Sequence, residues 1–336
     1  MSESPHLGQD PSDGGVVTDV HSGTTRHLVL VGPTASGKSS LAMAIARSRQ
    51  GRGDDVELVS MDSMAVYRGM DIGTTTPSRS EQDEVPHHLI DLVEPDQEFS
   101  VAEFVAAVRS VLDDIEGRGA MAILVGGTGL YVRAVVDRLK LPGRFPETAA
   151  RIDSEPDTRL LHQRLARLDP VAASRMEQDN RRRIVRALEV TEGSGRPFSS
   201  FGPGLDTYPE TPFVLAGLRV QRELLARSIG ERVRAQLADG FLDEVRELER
   251  RVQLSRTASQ ALGYGELAAH LRGECSLEEA ADLIEARSRK FAVRQIRWFR
   301  RDPRIRWFDH GGDPLSLVDD VDSFWSDHRR EGSSSR

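Results

Sequence analysis

Short, nearly continuous apolar runs alternate along this chain with longer stretches in which apolar positions recur every three or four residues. The runs are 27–31 (HLVLV), Val56–Ser60 (VELVS), 121–125 (MAILV) and 213–218 (FVLAGL). Strands that are apolar on both faces belong to a parallel sheet covered on both sides, so the pattern predicts an α/β fold with flanking helices. Helical periodicity runs over 40–46, 157–192, 223–239, 242–253 and 276–301. The 157–192 stretch is charged and rich in arginine. Pro142-Gly143 lead into it and Gly193-Ser194-Gly195-Arg196-Pro197 close it, which predicts a helical insertion between the third and fourth strands.

The last periodic stretch opens on a capping box, Ser276-x-x-Glu279. At about 100° per residue, Ile284, Phe291, Trp298 and Phe299 share one side. Lys290, Arg294, Arg297 and Arg301 share the other. Four bases in line repel one another with no interleaved acid to relieve them, and a polyanion would. The alternative is an ordinary solvated face. The whole chain has a formal net charge of −8, which argues against indiscriminate nucleic-acid binding. Its charges are segregated, however: 287–306 holds nine bases against the single acid Asp302, and Arg181-Arg182-Arg183 with Arg186 form a second cluster.

Among these elements the most specific chemistry lies between the first strand and the first helix. Gly32-Pro33-Thr34-Ala35-Ser36-Gly37-Lys38-Ser39 fits the P-loop pattern. Such a loop turns backbone N–H groups toward phosphate oxygens. The helix N-terminus adds partial positive charge, the lysine a full one, and the serine hydroxyl can hold magnesium. The expected ligand is a polyphosphate or diphosphate. P-loop hydrolases also need an apolar strand ending in Asp, but 121–125 ends in Gly126-Gly127-Thr128-Gly129. Asp62, just beyond the second strand, and Thr128 both sit at strand carboxyl ends, where parallel sheets bind ligands. Simple NTP hydrolysis fits this arrangement poorly.

These segments resemble one family. The loop at 32–39, Met61-Asp62-Ser63-Met64-Ala65-Val66-Tyr67-Arg68-Gly69-Met70-Asp71-Ile72-Gly73-Thr74, and Val125-Gly126-Gly127-Thr128-Gly129-Leu130-Tyr131 are similar to segments of the bacterial tRNA dimethylallyltransferases. So are Pro86-His87-His88-Leu89, Arg186-Ala187-Leu188-Glu189-Val190, Gly263-Tyr264 and Arg294-Gln295-Ile296-Arg297-Trp298-Phe299-Arg300. The resemblance implies a P-loop core with a helical insertion that closes over the anticodon arm. It implies transfer of a dimethylallyl group from dimethylallyl diphosphate to N6 of the adenosine 3′ of the anticodon, with diphosphate leaving. It further implies diphosphate contact by residues 32–39 and Arg232, magnesium on Ser39, and Asp62 as general base with Lys38 and Thr128 in the catalytic set. Contact with tRNA is implied for Asp62, Ser63, Met64, Ala65, Thr128, Arg182, Arg183 and Arg186, and the row Lys290, Arg294, Arg297 and Arg301 is assigned to RNA as well. The family's common form has Gln where Arg182 stands, and arginine only donates hydrogen bonds. Arg144 and Arg151 are further candidates.

Each role has a plainer rival: Asp62 as a cap or magnesium-water ligand, Thr128 as the end of a tight turn, Arg232 as a solvated helix residue. Rival activities are prenylation of free adenine nucleotides, a P-loop small-molecule kinase, and a non-catalytic RNA-binding protein. The expected layout is a disordered tail over 1–25, core over 26–138, the tRNA-contacting insertion over 139–205, core and C-terminal helices over 206–312, and an acidic tail over 313–336. No apolar run approaches bilayer length, the first residues lack the features of a signal peptide, and the lone Cys275 rules out internal disulfides and cysteine-cluster zinc. A cytoplasmic monomer is expected.

Overall fold

The computed structural model describes residues 27–202, 204–205 and 207–333, so the tail expected over 1–25 lies outside the described residues. β1 (Leu28–Val31) leads through the loop to α1 (Lys38–Gln50). β2 (Val56–Ser60) is followed by short helices α2 (Asp71–Thr74) and α3 (Arg79–Glu84) and the two-residue β3 (His87–His88). α4 (Val101–Gly117) returns to β4 (Met121–Gly126), from which α5 (Gly129–Val136) departs. After an insertion come β5 (Val214–Val220), α10 (Arg222–Ala238), α11 (Phe241–Arg251), α12 (Tyr264–Leu271), α13 (Leu277–Phe299), β6 (Arg306–His310) and α14 (Val318–Ser333). The insertion holds α6 (Pro146–Asp153), α7 (Thr158–Leu168), α8 (Pro170–Ser174) and α9 (Arg181–Ser194).

Among the described residues, the six strands form one parallel sheet in the order β3-β2-β4-β1-β5-β6. β1 is central, with Leu28 opposite Ile123 and Val214, and Val31 opposite Gly126 and Gly217. Its alternation serves both faces: Leu28 and Leu30 pack with α1 and α14, Val29 and Val31 with the layer that includes α4 and α5. Because β1 lies between β4 and β5, the turns leaving β1, β2 and β4 converge at the carboxyl edge. The insertion has its own small core of Ile152, Leu161, Leu165, Ile184 and Leu188. At the start of α13 the capping box closes as its sequence requires: Glu279 N–H donates to Ser276 Oγ at 3.2 Å, and Ser276 N–H to Glu279 Oε2 at 2.8 Å.

The structure corrects the expectation of an acidic tail over 313–336. The described part of that stretch, through 333, forms a turn and α14. Leu317, Val321 and Trp325, four residues apart, enter the core against α1, with Trp325 fully buried. One of the acids that made it look soluble, Asp322, is itself buried and partnered. Asp322 pairs with Arg49 and Arg52 of the α1 end, and the Arg49 guanidinium lies 4.0 Å from the centre of the Trp325 ring. Burying such a side chain is worth about 1.5–3 kcal/mol, enough to fix a helix whose own composition is unfavourable.

Candidate active site

The turn after β1 reverses the chain through left-handed conformations at Ala35 (φ 59°) and Gly37 (φ 80°) before α1 starts at Lys38. No side chain caps α1 and no acid lies in its first turn, so its free N–H groups and partial positive charge stay unneutralised. Thr34 N–H donates to Gln295 Oε1 at 2.8 Å, and the Pro33 carbonyl of the same peptide accepts from Lys38 Nζ at 2.6 Å. The Thr34 amide is therefore engaged by Gln295, which narrows the set of free amides expected from the motif. Ser36 Oγ is buried without a hydrogen-bond partner among the described residues. Such a hydroxyl is costly until something supplies one, and a phosphate oxygen can.

Charge around the loop is unbalanced toward positive. Burial is the main cause that brings the Lys38 ammonium down to about 7; nearby Arg232 lowers it further and Asp62 opposes both. Arg232 of α10 donates from a guanidinium nitrogen to Thr34 Oγ1 at 3.0 Å. Burial lowers its pKa also, with Asp62 again opposing, but a guanidinium stays charged at neutral pH. Arg232 is thus a partner of the loop, whereas Arg222, Arg227 and Arg234 of the same helix are exposed. Asp62 Oδ1 accepts Met64 N–H at 2.8 Å, while Oδ2 has no partner among the described residues. One oxygen performs the plainer turn-forming role and leaves the other for chemistry.

A pH dependence follows from Lys38. An anionic ligand needs the ammonium, which the free protein holds below about pH 7 and loses above it. Bound anion stabilises the charged form, so binding above pH 7 requires proton uptake. Affinity for diphosphate, corrected for the ligand's own titration, should fall by up to about tenfold per pH unit between pH 7.5 and 9. Calorimetry in two buffers of different ionisation enthalpy measures the uptake, and a pH-independent affinity would contradict it.

Thr128 is the N-cap residue of α5, yet its side chain makes no capping bond, and it stands next to the Gly127 carbonyl, which accepts from Gln295 Nε2 at 3.0 Å. Gln295, buried on α13, therefore ties the P-loop to the β4 turn, and a Cβ on Gly127 would collide with its amide. The sequence motif included Gln295 without giving it a role. Its signal was a polar residue within the apolar stripe of an amphipathic helix. Glu244, also missed, accepts the N–H groups of Asp71, Ile72 and Gly73 and the Tyr264 hydroxyl, bracing the segment that follows Asp62. Nothing local in the sequence announces it.

Ser39 is exposed at the start of α1, and no group of three or more His, Cys, Asp or Glu among the described residues can hold a metal. A cation here would draw its ligands from the Ser39 hydroxyl, ligand phosphates and water, which suits magnesium. Lys290, Arg294 and Arg297 are exposed on α13, away from the buried Gln295, and Arg301 is exposed in the turn just after the helix. Arg182 and Arg183 are exposed on α9, but the Arg186 guanidinium is committed to Glu189 and the Pro142 and Gly143 carbonyls. Arg151 pairs with Glu192. Ser63 and Met64 are half-buried beside Asp62, whereas Ala65 is buried.

A family model described as "IPP transferase" matches residues 65–302. The chain is 45% identical over 298 residues to a tRNA dimethylallyltransferase of Kineococcus radiotolerans, covering 87% of this chain and 93% of that one. It is 42% identical over 301 residues to another of that name from Carboxydothermus hydrogenoformans, covering 87% and 94%. Among solved structures, the full-length tRNA isopentenylpyrophosphate transferase of Bacillus halodurans is similar with a TM-score of 0.67 and 35% identity, covering 92% of this chain and 98% of that one.

Proposed function

As the chain belongs to the IPP transferase family and is a transferase that prenylates tRNA, we propose that it moves the dimethylallyl group of dimethylallyl diphosphate to N6 of the adenosine 3′ of the anticodon. The observation that carries this is the loop's composition: two cations, one carboxylate with a free oxygen, and a β4 end of Gly126-Gly127-Thr128 where a hydrolase would place its acid. The allylic C–O bond breaks and the negative charge passes to diphosphate. Lys38, Arg232 and the α1 N-terminus are arranged to stabilise that charge. N6 forms the new bond to carbon, and Asp62 Oδ2 takes its proton. Diphosphate held here draws Lys38 back to its charged form. A magnesium ion on Ser39 and the diphosphate would supply further charge neutralisation. The adenosine, already in a loop, is exposed at little cost compared with a base inside a duplex.

The exposed basic rows on α13 and α9 support binding of the anticodon arm. An RNA substrate supports a reaction in the cytoplasm, and we propose that the enzyme acts as a monomer. Prenylation of free adenine nucleotides would leave both rows without a task. Incubation of the protein with dimethylallyl diphosphate and either an anticodon stem-loop or AMP should prenylate only the RNA. Reversing both Arg294 and Arg297 to Glu should raise KM for the stem-loop about tenfold or more at low salt, with a shallower salt dependence than the parent shows, and leave KM for the donor within about twofold. Equal turnover of AMP, or an unchanged KM for RNA, would sink the proposal.

A further inference from the structure

Beyond the end of the family match at residue 302, the chain returns to the phosphate loop from behind. His310, the last residue of β6, is buried, and its Nε2 lies 3.1 Å from the Ser36 carbonyl oxygen. Gly312 N–H donates to the other ring nitrogen, Nδ1, at 3.3 Å. Nδ1 is therefore the acceptor and Nε2 carries the proton, so His310 donates to Ser36. Just past it Pro314 packs on Gly37, so closely that a Cβ on that glycine would lie 2.5 Å from Pro314 Cγ. This wall is held at both ends. β6 pairs with β5 through Val220 opposite His310, and Leu317, Val321 and Trp325 pack into the core with α1, the helix that the loop feeds.

The consequence comes from peptide planarity. No peptide among the described residues is cis, and in a trans peptide the carbonyl and the following N–H point in opposite directions. With the Ser36 carbonyl drawn to His310, the Gly37 N–H must point away from the wall, to the side where the uncapped α1 amides open. We infer that His310 is a positioning residue for diphosphate, on the strength of the P-loop site proposed above: it touches no substrate and acts by aiming the Gly37 amide. The Ser36-Gly37 peptide would otherwise be free to rotate about its flanking bonds, since Gly37 permits many conformations.

The test compares His310→Gln, His310→Asn, His310→Phe and Lys38→Ala in the full chain. A Gln amide nitrogen reaches about as far as Nε2, whereas that of Asn reaches only as far as Nδ1. Calorimetry with inorganic diphosphate and magnesium, and steady-state kinetics with dimethylallyl diphosphate and a stem-loop, should show Kd and donor KM raised about tenfold in His310→Asn and His310→Phe. His310→Gln should stay within about twofold of the parent, and KM for RNA should not move in any of the three. Melting temperatures report folding separately, and if His310→Phe fails to fold, the Asn and Gln pair decides. A purely structural histidine would shift melting without this split. The inference is overturned if His310→Asn binds diphosphate like the parent, or if Asn and Gln weaken it equally, while Lys38→Ala still abolishes binding. If instead Lys38→Ala binds diphosphate undiminished, the P-loop site itself is wrong and the inference falls with it.

Discussion

Replacing Lys38 with alanine is expected to lower kcat/KM for prenyl transfer by about a thousandfold or more and to abolish measurable diphosphate release. In the free protein the Lys38 ammonium donates to the Pro33 carbonyl and is held near neutrality by burial and by Arg232. A multiply charged diphosphate removes the reason for that depression, so the full positive charge becomes available as the leaving group arrives. Alanine loses this charge and leaves Arg232, fixed on Thr34 Oγ1, as the remaining side-chain cation there among the described residues. Since negative charge on the leaving oxygen grows toward the transition state, kcat as well as KM should suffer. Quenched-flow measurement of diphosphate release checks this. Turnover within about tenfold of the parent would remove the loop from the mechanism.

Substituting Asp62 with asparagine should slow transfer by about 10²–10⁴-fold while leaving tRNA affinity within about threefold. Asparagine retains an oxygen for Met64 N–H, so the turn seen at 2.8 Å survives and only the proton-accepting capacity is lost. Alanine would remove both, making Asp62→Ala the less selective variant. The carboxylate also supports the charges of Lys38 and Arg232, so its loss lowers the Lys38 pKa further and weakens donor binding. Single-turnover rates at saturating donor, where the bound diphosphate keeps Lys38 charged, separate the two effects. An unchanged rate there would show that Asp62 only shapes the turn.

Much of this arrangement was legible because it is local. A strand, a glycine-rich turn and a helix start in succession define the P-loop, and Ser276-x-x-Glu279 forms its capping box wherever the helix lies. The charge row on α13 is likewise a matter of helical spacing. The insertion could be bounded by Pro and Gly at its ends, since those residues act on their own backbone. Its arginines were less legible. Arg186 matched the family pattern as Arg183 did, whereas Arg182 departed from it, yet Arg186 is spent on Glu189 and on the Pro142 and Gly143 carbonyls, partners set by how the insertion packs. Arg232 shows the opposite case: helical spacing did not separate it from its equally charged neighbours, and besides the resemblance it is set apart by its partial burial and its bond to Thr34.

What the sequence determined alone was the parallel α/β core, the phosphate loop, the placement of Asp62 and Thr128 at strand ends, and the one-sided basic helix. Each depends on spacing over a few residues, which the chain carries wherever it folds. Only the tertiary structure decided that Gln295 bridges Thr34 to Gly127, that Glu244 braces the segment after Asp62, and that Leu317, Val321 and Trp325 of the acidic stretch are buried in the core behind the loop. These contacts join residues far apart in the chain, and Asp322 and Trp325 are stabilised by Arg49, whose position no local pattern predicts. Composition marks a residue as soluble or apolar on its own, but burial is settled by the partner that meets it.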